Sequence, residues 1–269
     1  MEDYKIKPLC NDDVNIINSI SDDWGDIQKV HRFYINNDFC HPTKVLINNE
    51  LVGIGTAICY QNTGWLAHII VSKNNRNLGV GSSIVRQLIS YLQNDCSCST
   101  ITLNASNLGY PVYLKQGFSI QSEVCIFKTE KENVLDKISS NIKKIQKEHF
   151  QAILNMDQLI SGENRFKLIN PFLNTGYVYC ENSEVKGFYL PDLSDGPISA
   201  VNKDAGVELL KMKMQSSKRI IFPAENYIGK QYLIENGFAE VLKVNRMILG
   251  KPFPWMPQYN YARVSGFAS

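Results

Sequence analysis

The sequence predicts a mixed α/β chain made of two divergent copies of one unit, and three observations lead there. At 269 residues, against a usual ~100–200 residues per domain, two small domains fit better than one large one. The apolar spacing of the first half changes from period 2 to period 3.6, as strands giving way to helices do. The chain also repeats itself: Val178 to Phe188 (VYCENSEVKGF) echoes Val45 to Ile54 (VLINNELVGI), and Leu233-Ile-Glu-Asn-Gly237-Phe238 echoes Tyr113-Leu-Lys-Gln-Gly117-Phe118.

Taken in order, Tyr4 to Leu9 alternates as a strand, and Asn11, Asp12 and Asp13 suit the cap and first turn of a helix. A second helix is expected from Asp26. Thr43 to Ile47 and Leu51 to Tyr60 flank Asn48-Asn49-Glu50, which is hairpin chemistry. Gly64 to Val71 (GWLAHIIV) is continuously apolar, hence a central strand covered on both faces. After the polar stretch Ser72 to Asn77, residues Val80, Ile84, Val85, Leu88, Ile89 and Leu92 fall on one helix face. A strand at Thr100 to Asn104, a short helix closed by Gly117 and a strand at Glu123 to Lys128 finish the copy. Domains are expected at 1–130 and 148–269, joined by a charged and amidic connector at 131–147.

Composition removes several classes of function. With 28 basic and 26 acidic residues, a net charge of +2, the chain lacks the domain-wide positive field that non-specific nucleic-acid binding needs. No apolar run nears the ~18 residues that span a bilayer, and MEDYKIKPLC is not a leader sequence, so no membrane partner and a cytoplasmic location are expected. Seven scattered cysteines without paired CxxC spacing suggest reduced thiols and no metal site.

The chemistry centres on Arg76-Asn77-Leu78-Gly79-Val80-Gly81-Ser82, an R-x-x-G-x-G loop between the central strand and the following helix. Unpaired amides at a helix start, the favourable dipole and glycines that admit close approach make a pyrophosphate cradle. The loop lacks the Gly-Lys-Ser/Thr ending of a nucleoside-triphosphate loop and the third glycine of a dinucleotide fingerprint. Near Pro191 to Ala205, where the second copy is shorter, no such loop occurs.

These residues resemble the GNAT superfamily of acyl-CoA-dependent N-acyltransferases: Ile69-Ile70-Val71, then Arg76-x-x-Gly79-x-Gly81, then Leu103-Asn-Ala-Ser-Asn-Leu-Gly-Tyr-Pro-Val-Tyr113-x-x-x-Gly117-Phe118. Trp24, Trp65, Asp157, Arg165, Gly196 to Ala200, Arg246, Met247 and Gly250 resemble a tandem subfamily in which an active N-terminal domain precedes a degenerate one. The resemblance implies an α/β (α+β) fold of two tandem GNAT-type domains, each a mixed, mostly antiparallel sheet flanked by helices. It implies an acetyl-CoA-dependent N-acetyltransferase with a small amine acceptor; the alternative is a catalytically silent acyl-CoA-binding sensor. By the same resemblance, the backbone of Ile69, Ile70 and Val71 would pair with pantetheine. Arg76, Asn77, Leu78, Gly79, Val80, Gly81 and Ser82 would hold the pyrophosphate, with Asn104 and Asn107 further along the cofactor. Tyr113 would protonate the departing thiolate, and Trp24 and Asp26 are candidate acceptor contacts.

The base is open. Several such enzymes place a glutamate early in the fourth strand, where this chain has Trp65. His68 is the histidine on that strand and can accept a proton near neutral pH, although strict alternation puts it on the face opposite Trp65. Asp22, Asp23 and Asp26 are rivals, as is a water chain.

Overall fold

The computed structural model describes residues 4–21, 25–131, 137–266 and 268. They divide into two compact units, one of Met1–Ser119 with Met247–Lys251 and one of Ile120–Arg246 with Pro252–Ser269. Among the described residues no helix is long and apolar enough to cross a membrane.

The first unit opens with β1 (Tyr4–Pro8). Asn11–Asn15 and Ile17–Ile20, where a helix was expected, form 3-10 turns. The Asp13 carboxylate accepts the Cys10 amide at 2.8 Å and Lys44 Nζ at 2.5 Å, so the expected acidic cap is present but closes a tight turn. Helix α1 (Gln28–Ile35) leads into β2 (Cys40–Ile47), β3 (Glu50–Tyr60) and β4 (Thr63–Val71), all antiparallel neighbours. The β2–β3 turn is Asn48-Asn49, with φ of 51° and 65°, the left-handed pair that a two-residue hairpin requires and asparagine tolerates. Helix α2 (Val80–Ser90) crosses to β5 (Thr100–Ala105), which runs parallel to β4, and α3 (Tyr110–Lys115) follows.

Each face of this sheet has its own core. Val80, Ile84, Val85 and Leu88 of α2 pack with Ala57, Leu66, Leu103 and Tyr113. On the other face Ile54 and Ile70 pack with Leu9, Val14, Ile17, Ile20 and Ile27, and with the half-buried Val30 and Ile35 of α1. Double coverage explains the unbroken apolar run of β4.

The second unit contains β6 (Ser119–Lys128, from Ile120), β7 (Ile142–Lys144), α4 (Phe150–Ser161), α5 (Phe166–Ile169), β8 (Tyr177–Glu181), β9 (Glu184–Tyr189), β10 (Ile198–Ala200), α6 (Lys203–Met214), β11 (Arg219–Pro223), α7 (Tyr227–Glu235), β12 (Ala239–Gly250) and β13 (Asn260–Ala262). One sheet runs β13-β10-β9-β8-β7, and β11 pairs antiparallel with β6. Strand β7 lies within the stretch expected to be a connector. Met247–Lys251, which include the end of β12, belong to the first unit, beside β5. There Met247 is fully buried, and Thr100 Oγ1 donates to the Lys251 carbonyl at 2.6 Å.

The repeat is geometric as well as textual. The β8–β9 turn, Asn182-Ser183, has φ of 49° and 66°, matching Asn48-Asn49. In each hairpin the register slips just before a glycine: Val45 faces Gly53 while Leu46 faces Leu51, and Tyr179 faces Gly187 while Cys180 faces Val185. The two short helices end alike, with the Phe118 amide donating to the Tyr113 carbonyl (3.1 Å) and the Phe238 amide to the Leu233 carbonyl (2.9 Å).

Candidate active site

Two local features of the first unit bear on the site. The parallel ladder between β4 and β5 runs over Thr63–Thr100, Gly64–Ile101 and Trp65–Thr102 and stops there. Beyond it Ile69, Ile70 and Val71 have no ladder to β5, and Ile70 and Val71 pair with β3 on their other side. At the C-terminal end of β4 the chain makes a 3-10 turn, Lys73–Asn75, and enters α2 through Asn77 (φ 65°) and Gly79 (φ 84°). Gly79 is the N-cap of α2 and supplies no side-chain cap. A Cβ there would meet nothing within 4 Å, so conformation, not crowding, requires the glycine. The first amides of α2 therefore have no side-chain cap, and amides of this kind, with the helix dipole, favour an anion. Arg76 Nε donates to the Val71 carbonyl at 3.1 Å, tying the loop to the strand end. Asn77, Leu78 and Gly79 are exposed, Gly81 and Ser82 half-buried, and Val80 anchors the helix in the core. Exposed backbone and a nearby guanidinium could hold an anion such as a pyrophosphate.

The second feature is a bulge in β4. Ile54 pairs with Ile70 and Thr56 with Ala67, so Gly55 alone stands opposite His68 and Ile69, and His68 takes φ of 47°. A bulge resets the alternation of side chains. Gly64 and Leu66 face α2, since a Cβ on Gly64 would meet Leu92 and Leu66 lies in the α2 core, which leaves Trp65 on the α1 face. His68 is on that face too: its Nδ1 lies 2.8 Å from the Tyr34 hydroxyl of α1 and its ring centroid 5.4 Å from that of His31. Strict alternation, which put Trp65 and His68 on opposite faces, is thus corrected by one extra residue in the strand. Trp65 is fully buried and His68 half-buried.

Tyr113 sits on α3 with its ring against Gly109 and 6.0 Å from that of Phe118. It is buried, and burial pushes its phenol well above the usual range, so the group stays protonated. Asn104 is half-buried at the end of β5, while Asn107 is exposed in the following turn, where Ser106 Oγ accepts the Gly109 amide at 3.2 Å. Asp26 is exposed and accepts the Gln28 amide (3.0 Å) and Asn18 Nδ2 (3.1 Å), bonds that lower its carboxyl and fix the start of α1. Trp24, Asp22 and Asp23 lie outside the described residues. His31 and Tyr34 are the residues that reading the sequence passed over. Their spacing of three on one helix face was a signal, but only the bulge brings His68 to them.

The second unit has closed the equivalent places. The N-cap of α6 is Asn202, whose side chain accepts the Ala205 amide at 2.9 Å, and the residue matching Tyr113 is the fully buried Leu233.

Residues 28–129 match the family model described as the acetyltransferase (GNAT) domain. Among solved structures the chain is similar to a Pyrococcus horikoshii protein assigned to the acetyltransferases, at 19% identity and TM-score 0.84 over 100% of this chain and 97% of that one. It is also similar to a GCN5-related N-acetyltransferase from Sphaerobacter thermophilus, at 12% identity and TM-score 0.66 over 93% and 96% of the two chains. Another such protein, from Anabaena variabilis, matches at 9% identity and TM-score 0.59 over 91% and 72%. No curated protein matches the chain in sequence. At these identities the structural likenesses establish the fold, mixed α/β with mainly antiparallel sheets, while the family model speaks to the segment it covers. That segment holds β4, β5, the start of α2 and Tyr113, and it is the part of the chain that is similar to the acetyltransferase (GNAT) domain.

Proposed function

We propose that this chain is a cytoplasmic acetyl-CoA-dependent N-acetyltransferase that acts on a small amine by direct transfer in a ternary complex. The observation that carries this reading is that the β4–β5 ladder ends at Trp65–Thr102, leaving Ile69 to Val71 unladdered to β5, in the strand that leads into the uncapped start of α2. A thioester arm would take the free strand backbone and an anionic group the helix amides. In this reading Ile69, Ile70 and Val71 offer backbone hydrogen bonds to the arm, and Arg76 to Ser82 hold the phosphates, with Asn104 and Asn107 further along. The acceptor nitrogen attacks the thioester carbonyl carbon, forming C–N as C–S breaks. His68 takes the nitrogen's proton and Tyr113 gives one to sulfur. Burial that keeps the Tyr113 phenol protonated equally disfavours a bare thiolate beside it, so the transfer is matched by its surroundings. Trp24 and Asp26 are assigned to the acceptor side. The second unit, with α6 capped and Leu233 in place of a tyrosine, is assigned no transfer chemistry.

The test is a panel of primary amines (amino acids, polyamines, aminoglycosides and short peptides) incubated with acetyl-CoA and followed by free-thiol release. Acetylation of at least one class supports the enzyme. Tight CoA binding with no turnover of any amine would instead support the sensor reading, which the buried, non-titrating Trp65 favours.

A further inference from the structure

Behind β4, His68 belongs to a cluster of three rings, two of which that chemistry does not account for. Tyr34 and His31, three residues apart on α1, are both fully buried, whereas His68 is half-buried. The ring centroids are 5.5 Å apart for His31–Tyr34, 5.4 Å for His31–His68 and 5.6 Å for Tyr34–His68, so the three form a closed triangle. His68 Nδ1 is thus held against α1, and the residue as a whole is half-buried.

We propose that Tyr34 is a positioning residue: its hydroxyl, held in the core at 2.8 Å from His68 Nδ1, orients the ring so that Nε2 is the nitrogen that exchanges a proton with the acceptor. This deepens the proposed function and rests on His68 being its base. When Nε2 takes the proton released by the attacking nitrogen, the ring carries protons on both nitrogens and Nδ1–H donates to the Tyr34 oxygen. The neutral ring that precedes it has its proton on Nδ1 and its lone pair on Nε2.

The neighbouring groups suit this arrangement. His31 Nδ1 lies 2.8 Å from the Ile27 carbonyl; a carbonyl only accepts, so Nδ1 bears the proton. Burial holds the His31 pKa below its ordinary value, so His31 is neutral near pH 7 and does not repel a charged His68. Its Nε2 and the Oγ1 of Thr56, which pairs with Ala67 beside the bulge, are buried with no hydrogen-bond partner among the described residues, giving this face a polar character. Cys40 of β2 and Tyr60 of β3 face Tyr34, and Asp38 acts on Cys40; burial raises both the Tyr34 phenol and the Cys40 thiol, so both are neutral near pH 7. The left-handed backbone at His68 costs about 1–2 kcal/mol for a residue other than glycine, and strain of this kind concentrates where a side chain must be aimed.

The test reads the tautomer directly, by long-range proton–nitrogen correlation of the imidazole rings in ¹⁵N-labelled full-length protein, with His68→Asn to assign the His68 signals. In the wild type we expect the neutral His68 ring to be protonated on Nδ1. In Tyr34→Phe, which removes one oxygen and keeps the ring volume, the proton should move largely to Nε2, while His31 stays fixed on Nδ1 by the Ile27 carbonyl and serves as internal control. A wild-type ring protonated on Nε2, or a tautomer unchanged by Tyr34→Phe, overturns the proposal. The wild-type spectrum decides the matter even if the variant does not fold. The underlying reading is tested separately: His68→Asn that retains wild-type thiol release from acetyl-CoA on the amine panel removes His68 as the base, whatever the tautomer shows.

Discussion

At the scale of single residues, Tyr113 and His31 show burial used in opposite directions. Tyr113 is kept protonated by its apolar surroundings, as the proton donor proposed for it must be, and Tyr113→Phe removes that hydroxyl while sparing the packing against Phe118. Its kcat should fall by roughly 100-fold, within the usual range for a general acid, while CoA affinity measured by calorimetry stays within a few-fold. An unchanged kcat removes Tyr113 from the mechanism. His31 is kept neutral by burial, and the sign of its effect on stability follows. Above its ordinary pKa of about 6.5, neither folded nor unfolded chain is protonated there and the residue contributes no pH dependence. As the pH falls through that value, the unfolded chain takes up a proton that the folded one resists, so stability is lost toward acid. Thermal melts between about pH 7 and pH 5 should therefore slope less steeply for His31→Gln than for the wild type; parallel slopes would mean that His31 charges freely in the fold.

At the scale of elements, the two helix starts tell the copies apart. Gly79 caps α2 with a left-handed backbone and no side chain, whereas Asn202 caps α6 with its amide oxygen. Gly79→Ala meets no steric obstacle but must hold φ near 84°, a cost of about 1–2 kcal/mol at the place assigned to the phosphates. It should weaken CoA binding several-fold as well as lower the melting temperature. Asn202→Ala should cost about 1 kcal/mol through the lost cap and leave CoA binding unchanged. Equal effects of the two on CoA binding would refute the assignment of the loop. The Arg76-x-x-Gly79-x-Gly81 pattern, the hairpin turns and the Gly117-Phe118 ending were legible in the sequence because each depends on local backbone preference. The bulge at His68 was not. It is set by one strand residue, Gly55, standing opposite two, a relation between strands that no single strand's alternation contains.

At the scale of the whole molecule, contacts divide the chain into two units, and Met247–Lys251 fall with the first. Met247 is fully buried among α2 and β5 residues, and Leu249 packs against the same core. A chain ending at Lys128 lacks both. Deleting one such side chain ordinarily costs about 2–5 kcal/mol, comparable to the net stability of a domain this size. The shortened chain should therefore melt far lower than the full one or fail to fold, as read by circular dichroism. A cooperative melt at the full-length temperature, with full turnover, would show that Met247–Lys251 are dispensable to the first unit.

The sequence by itself determined β1 to β5, α2, α3, the duplicated unit and the glycine loop, but not the 3-10 turns after β1 or strand β7, because the former follow from periodicity and from residues whose backbone preferences act over a few positions. Only the tertiary structure decided that His68 shares a face with Trp65, that Tyr34 and His31 stand behind it, and that a strand end some 120 residues beyond β6 in the sequence completes the first core. Those outcomes depend on which segments meet across the fold, and local propensity carries no record of that.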